Sequence, residues 1–124
     1  MDMARRGFAF VNFNYRLAPK WHFPVPLWDT NAVMEWIVQN AHRYHLDPQR
    51  IILLGDSAGA QLASQYAAIV TNADYAATFN MVVPNIHIRA LGLNCGMYDM
   101  AAEAAAPRKG IHLDYLGRDF PADD

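Results

Sequence analysis

Ser57 stands between two glycines, in Gly55-Asp56-Ser57-Ala58-Gly59, where an apolar run, Ile51-Ile52-Leu53-Leu54, passes into a helical pattern. The spacing fits G-x-S-x-G. A serine at such a strand-to-helix turn is held in a strained backbone conformation, with Oγ projecting from the end of the sheet. Glycines two residues away on either side leave room for strand and helix to approach. The N–H of Ala58 then lies at a helix N-terminus, where an unpaired donor and the helix dipole stabilise an oxyanion. The chemistry these residues could do is acyl transfer, with Ser57 as nucleophile and Ala58 as one oxyanion-hole donor. A phosphate-cradling loop shares the strand-glycine-helix form, but the chain holds neither G-K-[ST] nor G-x-G-x-x-G.

The elements that must position this turn are visible as changes of period. Residues 8–15, Phe-Ala-Phe-Val-Asn-Phe-Asn-Tyr, are aromatic and β-branched and predict a strand. Residues 21–26, with two prolines, predict an extended loop. From Leu27, with Pro26 in the first turn, Val33, Trp36, Ile37, Asn40, Ala41 and Tyr44 fall on one helical face. Asp47-Pro48 makes a turn, and residues 51–54 read as a parallel strand covered on both faces. Leu62, Ala63, Tyr66, Ile69 and Val70 give the next helix its apolar face, with Asn72 near its end. Residues 86–95 predict a third strand, and the Ala-rich, then charged tail from Ala101 accommodates a short helix or two. Strand-helix-strand-helix-strand is the signature of an α/β unit with parallel strands and right-handed crossovers.

Bulk properties exclude several classes. With 124 residues the chain is one domain at most, and 53% apolar residues suffice for an ordinary globular interior. A net charge of -2 with no basic run argues against nucleic acid or an anionic membrane as partner. The single cysteine, Cys95, rules out an internal disulfide and a cysteine-built zinc site, and its apolar surroundings predict a buried thiol. No apolar stretch reaches the ~20 residues of a membrane span. Residues 8–13 are too short and too interrupted for the core of a signal peptide, which makes a cytoplasmic location the expectation.

Three stretches carry a resemblance. Gly7-Phe8 through Asn14-Tyr15-Arg16-Leu17-Ala18-Pro19, then Phe23-Pro24, Asp29, Ala32 and Trp36, then Asp47-Pro48, Arg50-Ile51 and the Gly55–Gly59 elbow are similar to the hormone-sensitive-lipase-like branch of the α/β-hydrolase fold. That branch holds small esterases and acetylesterases. Two departures are visible: Lys20 where Glu is usual, and Ala60, narrowing the space beside the elbow, where a further Gly is usual. The resemblance implies a partial parallel-sheet α/β-hydrolase core of about three strands and two main helices, with a short cap-like tail. It implies no cofactor and no metal, and small acyl esters or acetylated sugars as substrates. It makes Arg16 and Asp29 a structural pair in the loop supporting the elbow, while Asp56 points away from the serine.

A serine nucleophile needs a base to take its proton and an acid to orient that base. In this fold the order along the chain is Ser, then Asp or Glu, then His. His22, His42 and His45 precede Ser57, and His87 opens the third strand, at the wrong end of a parallel sheet. Asp99 and His112 follow in the right order, but twelve residues between them are too few for the helix and strand that should intervene. Residues 1–124 therefore read as a partial domain, lacking the upstream oxyanion-loop strand and the downstream segment with acid and base. Residues 1–7 read as the last turn of a preceding helix. Since loss of the base typically costs on the order of 10⁶-fold in turnover, these residues alone are expected to hydrolyse esters barely.

The leading expectation is thus a serine carboxylic-ester hydrolase working through an acyl-enzyme on Ser57. The alternatives are a serine peptidase on the same fold and a non-catalytic module that binds through its open sheet edges. Those unpaired edges also offer a route to oligomers.

Overall fold

The structure is a computed structural model, and it describes residues 2–99 and 111–117. Their order is α1 (Asp2–Arg5), α2 (Val25–Tyr44), β1 (Ile51–Asp56), α3 (Ala58–Thr71), α4 (Ala73–Thr78), β2 (Ile88–Asn94) and α5 (Ile111–Leu116). The short turn of helix at α1 sits where residues 1–7 predict the end of a helix. α4 was not foreseen in the connector; Asn72 starts it, its Oδ1 accepting from Tyr75 N–H at 3.0 Å.

α2 begins as its sequence demands, with Pro26 in the first turn, where its missing N–H leaves no bond unmade. It ends at His45, which turns left-handed (φ 54), while Leu46 N–H returns to Ala41 O at 2.9 Å. Its buried stripe differs from the one predicted. Leu27, Thr30, Asn31, Met34 and Ile37 face the core, whereas Trp36 and Tyr44 lie outside with their rings 5.3 Å apart. Two polar residues occupy the inner stripe because each has its bonds supplied. Thr30 Oγ1 donates to Pro26 O at 2.9 Å, and Asn31 Oδ1 accepts from the Tyr66 hydroxyl at 2.8 Å. Asn31 Nδ2 donates to Val82 O and Glu35 Oε1 at 3.1 and 2.9 Å. Hydrogen-bonded polar groups are tolerated in a core where bare ones are not.

β1 and β2 pair in parallel, from Ile51 opposite Ile88 to Asp56 opposite Asn94, with an irregularity between Ile51 and Ile52. Parallel pairing needs a long crossover, and α3 and α4 provide it. Leu53 points into the core with Leu62, Ala63, Tyr66 and Ile69 of α3, the face its sequence predicts. The sheet is covered on one face rather than both: Ile52 and Leu54 on the opposite face stay 42% and 52% exposed.

Residues 8–15 form no strand. They pair with neither β1 nor β2, and their aromatic side chains Phe8 and Phe10 remain about half exposed. The physical reason is separation. A strand exists through its ladder, and a groove of about 850 Å³ lies between residues 7–13 and β1. The described sheet therefore has two strands where three were expected. Cys95 is likewise exposed, not buried: it follows the last residue of β2 in a left-handed conformation (φ 52), beyond the sheet's covered face.

The loop 16–24 is pinned from two sides. Arg16 and Asp29 pair as expected, with Nη2 to Oδ1 at 2.6 Å, Nε to both oxygens, and Arg16 N–H to Oδ2 at 2.8 Å. The indole of Trp21 lies under the Arg16 guanidinium at 4.8 Å and the Lys20 ammonium at 5.5 Å, so Lys20 works as a cation over an aromatic face. On the other side α5 docks: Phe23 N–H donates to Tyr115 O at 2.8 Å, and His22 Nδ1 meets Asp114 O at 2.6 Å. Of the tail expected to hold a short helix or two, α5 is described, and residues 101–110 lie outside the described residues.

Candidate active site

The junction at Ser57 is as abrupt as its sequence requires. β1 ends at Asp56, α3 begins at Ala58, and Ser57 alone makes the turn with φ 52 and ψ −117. That region suits glycine; a serine held there stores about 1–3 kcal/mol of backbone strain. Neighbours hold it in place. Ser57 N–H donates to Asn94 O at 2.8 Å, and Ser57 O accepts from Ala60 and Gln61 N–H at 3.0 and 3.1 Å. Ser57 itself is solvent-exposed at the C-terminal end of the sheet.

The two glycines differ in their work. A Cβ built on Gly55 would stand 2.2 Å from Gly59 O and 2.5 Å from Ala60 N, so the strand passes the helix backbone directly. A Cβ built on Gly59 meets nothing within 4 Å, which corrects the expectation that both glycines make room. Ala60 is fully buried beside this crossing.

Ala58 is the first residue of α3, so its N–H has no carbonyl a turn behind it to bond within the helix. The dipole of a 14-residue helix adds positive potential at the same place. The Ser57 hydroxyl and the Ala58 N–H, expected as nucleophile and oxyanion donor, therefore share one exposed turn. Asp56 turns aside as expected: Asn94 Nδ2 donates to its Oδ1 in a short hydrogen bond. Asn94 was missed by sequence reasoning, although an Asn closing an apolar strand opposite the elbow was the available signal. Its backbone takes the Ser57 amide while its side chain takes the neighbouring carboxylate.

The histidines lie elsewhere. His22 is bound to the α5 backbone, His42 and His45 close α2, and His87 precedes β2, its N–H on Pro48 O at 2.9 Å. Among the described residues no side chain is hydrogen-bonded to Ser57 Oγ. Asp99 follows β2 on the surface and makes contacts of its own. His112 is in α5, and its side chain lies outside the described residues.

Two charge effects stand close to the supporting loop and core. The bonds from Arg16 hold the Asp29 carboxyl below its ordinary value of 3.8, against a smaller opposing effect of burial. Burial pushes the Tyr115 hydroxyl up to about 12, and raises that of Tyr66 as well, with the Glu35 charge adding to the latter.

The family model BD-FAE matches residues 1–112. Arylacetamide deacetylase of Bos taurus is 48% identical over 59 residues, 46% of this chain and 15% of that protein. Ethyl acetate hydrolase of Pseudomonas putida is 38% identical over 58 residues, 47% of this chain and 18% of that protein. A solved structure from Lactobacillus plantarum WCFS1, described as a carboxylesterase, superposes with a TM-score of 0.65 at 25% identity, covering 81% of this chain and 39% of that one. The chain thus spans less than a fifth of the length of these two curated relatives. A family model matching nearly the whole chain, on the fold and beside the elbow just described, places this protein in the BD-FAE family, within the esterase branch of the α/β-hydrolase fold.

Proposed function

We propose that this chain carries the nucleophile and one oxyanion donor of a serine carboxylic-ester hydrolase. Ser57 Oγ attacks the acyl carbonyl, and the alkoxide that forms on the carbonyl oxygen is met by Ala58 N–H. Expulsion of the alcohol leaves an acyl-enzyme, which water cleaves, returning the acid and the serine hydroxyl. The observation that carries the reading is the single-residue turn at Ser57, strained to φ 52 with an unbonded helix N-terminus directly behind it. The names of two relatives, a deacetylase and an ethyl acetate hydrolase, favour a small acyl group such as acetyl. Acetylated sugars belong to the same chemical class.

A serine site that lacks its base typically keeps only the ~10³–10⁴-fold acceleration over water that donors and binding supply, and among the described residues none of the hydrogen bonds brings a base to Ser57. The test is phosphonylation by a fluorophosphonate, located by peptide mass spectrometry. The expected adduct sits on Ser57, forms slowly, and vanishes in Ser57→Ala. An adduct of equal yield in Ser57→Ala overturns the assignment. Because one relative is named for an arylacetamide, an amide panel belongs beside the esters; hydrolysis of acetanilides in preference to acetate esters would replace the esterase reading with an amidase one.

A further inference from the structure

Asp56 and Ala58 stand either side of Ser57, and their chemistry conflicts. Ala58 N–H is the donor that the proposed reaction needs, and Ser57, at the N-cap of α3, makes no side-chain cap bond there. A helix N-terminus left open in this way attracts carboxylates through its free amides and its dipole. Asp56 is the nearest carboxylate along the chain. An aspartate side chain commonly bonds the backbone amide two residues on, which here is Ala58 N–H. Such a bond would put a permanent negative charge where the oxyanion has to form. Asp56 and Ala58 are both solvent-exposed, so burial does not hold the carboxylate in place. Asn94 does. It lies opposite Asp56 in the parallel register, and its Nδ2 donates to Asp56 Oδ1 in a short hydrogen bond. The carboxamide is oriented for this, since its Oδ1 is turned to Cys95 Sγ, which donates at 3.7 Å, and Nδ2 is left for the carboxylate. The backbone oxygen of Asn94 meanwhile takes Ser57 N–H at 2.8 Å.

We propose that Asn94 is a positioning residue for ester hydrolysis: its carboxamide ties Asp56 to the β2 side and so keeps Ala58 N–H open to the developing oxyanion. The proposal rests on the esterase reading of Ser57 and Ala58 and deepens it. Asn94 touches neither the substrate nor the reacting atoms; it acts through Asp56. With the tether gone, the freed carboxylate competes with the substrate's carbonyl oxygen for one amide. Complete loss of an oxyanion donor typically costs ~10²–10³-fold in rate, and partial occupancy by a solvated side chain should cost roughly tenfold.

The experiment compares the full chain with Asn94→Ala, Asp56→Ala and the double variant, each checked for folding by circular dichroism. Two quantities are read: the rate of fluorophosphonate adduct formation on Ser57, and the position of the Ala58 amide proton in NMR spectra. Asn94→Ala is expected to slow labelling roughly tenfold and to move the Ala58 proton downfield, as a hydrogen bond to a carboxylate does. Adding Asp56→Ala is expected to restore labelling to within about twofold of the original rate and to return the proton to its place. A clamp that only stiffens the turn predicts a double variant no faster than Asn94→Ala, and that result overturns the proposal. An unmoved Ala58 proton in Asn94→Ala overturns it as well. Asn94→Asp, equal in size, replaces the tether with like-charge repulsion and should give the same two changes where Asn94→Ala fails to fold. Absence of a Ser57 adduct in every variant would remove the esterase reading, while the Ala58 resonance still decides whether Asn94 restrains Asp56.

Discussion

Gly55 and Gly59 flank the same serine, yet alanine at the two positions should act in opposite directions. At Gly55 the added methyl would lie 2.2 Å from Gly59 O, 2.3 Å from Gly59 C and 2.5 Å from Ala60 N, all backbone atoms that no rotamer change can move. Ordinary contacts begin near 3.4 Å, so the start of α3 must retreat from β1 by about 1 Å. Overpacking relieved by side chains costs about 1–3 kcal/mol, and relief through backbone places Gly55→Ala at about 3 kcal/mol or more. For a domain of this size that is a large part of its total stability. Gly59→Ala meets open space inside the first turn of a helix, where alanine is favoured over glycine by up to ~1 kcal/mol. Urea unfolding followed by circular dichroism measures both, and fluorophosphonate labelling reports the elbow. The expected result is a sharply lowered midpoint with lost labelling for Gly55→Ala, and an equal or raised midpoint with labelling retained for Gly59→Ala. Equal losses at both positions would refute the claim that only one glycine lies at the strand–helix crossing.

Tyr66→Phe removes the donor to the buried Asn31 Oδ1 and should cost about 1–3 kcal/mol, read as a lower urea midpoint at unchanged slope. The same tyrosine, raised above its ordinary value of 10, adds stability that is complete below pH 10 and is lost as pH climbs from there toward its folded value. Tyr66→Phe should therefore also flatten the alkaline limb of the stability profile. The depressed Asp29 carboxyl works in the opposite sense: its contribution is present above the ordinary 3.8 and disappears as pH falls through the folded value. Asp29→Asn should then lower the thermal midpoint at pH 7 by more than it does in acid, where the wild-type carboxylate loses its charge; equal losses at both would deny the ion pair its role. Asn94→Ala leaves the backbone acceptor of Ser57 in place but frees Asp56, and should slow Ser57 labelling roughly tenfold with the far-ultraviolet spectrum preserved.

What the sequence made legible is what is set locally. The elbow, the Pro26 start of α2, the inner face of α3 and the Arg16–Asp29 pair all follow from residues close in the chain or from a motif with one workable geometry. What was not legible depends on partners. The α2 stripe was misread because Thr30 and Asn31 are polar, and only Tyr66, Pro26 O and Val82 O make their burial tolerable. Trp36 and Tyr44 offered a second apolar stripe that nothing in the described structure covers more than partly. Residues 8–15 have the composition of a strand, but composition does not supply the neighbouring backbone that a ladder needs. Cys95 was assigned inward by its apolar neighbours, whereas one left-handed residue past the sheet's end carried it out.

Strain at a single residue persists only if the surroundings over-determine it, and at Ser57 the determinants come from three directions. β2 grips the turn through Asn94, whose backbone and side chain hold successive residues, Ser57 and Asp56. α3 grips it from below, since Ser57 O closes the first turn of the helix through two amides. The Gly55 crossing fixes how far strand and helix stand apart. Behind these, the Tyr66–Asn31 bond ties α3 to α2, and Asp29 on α2 holds the loop that follows residue 15.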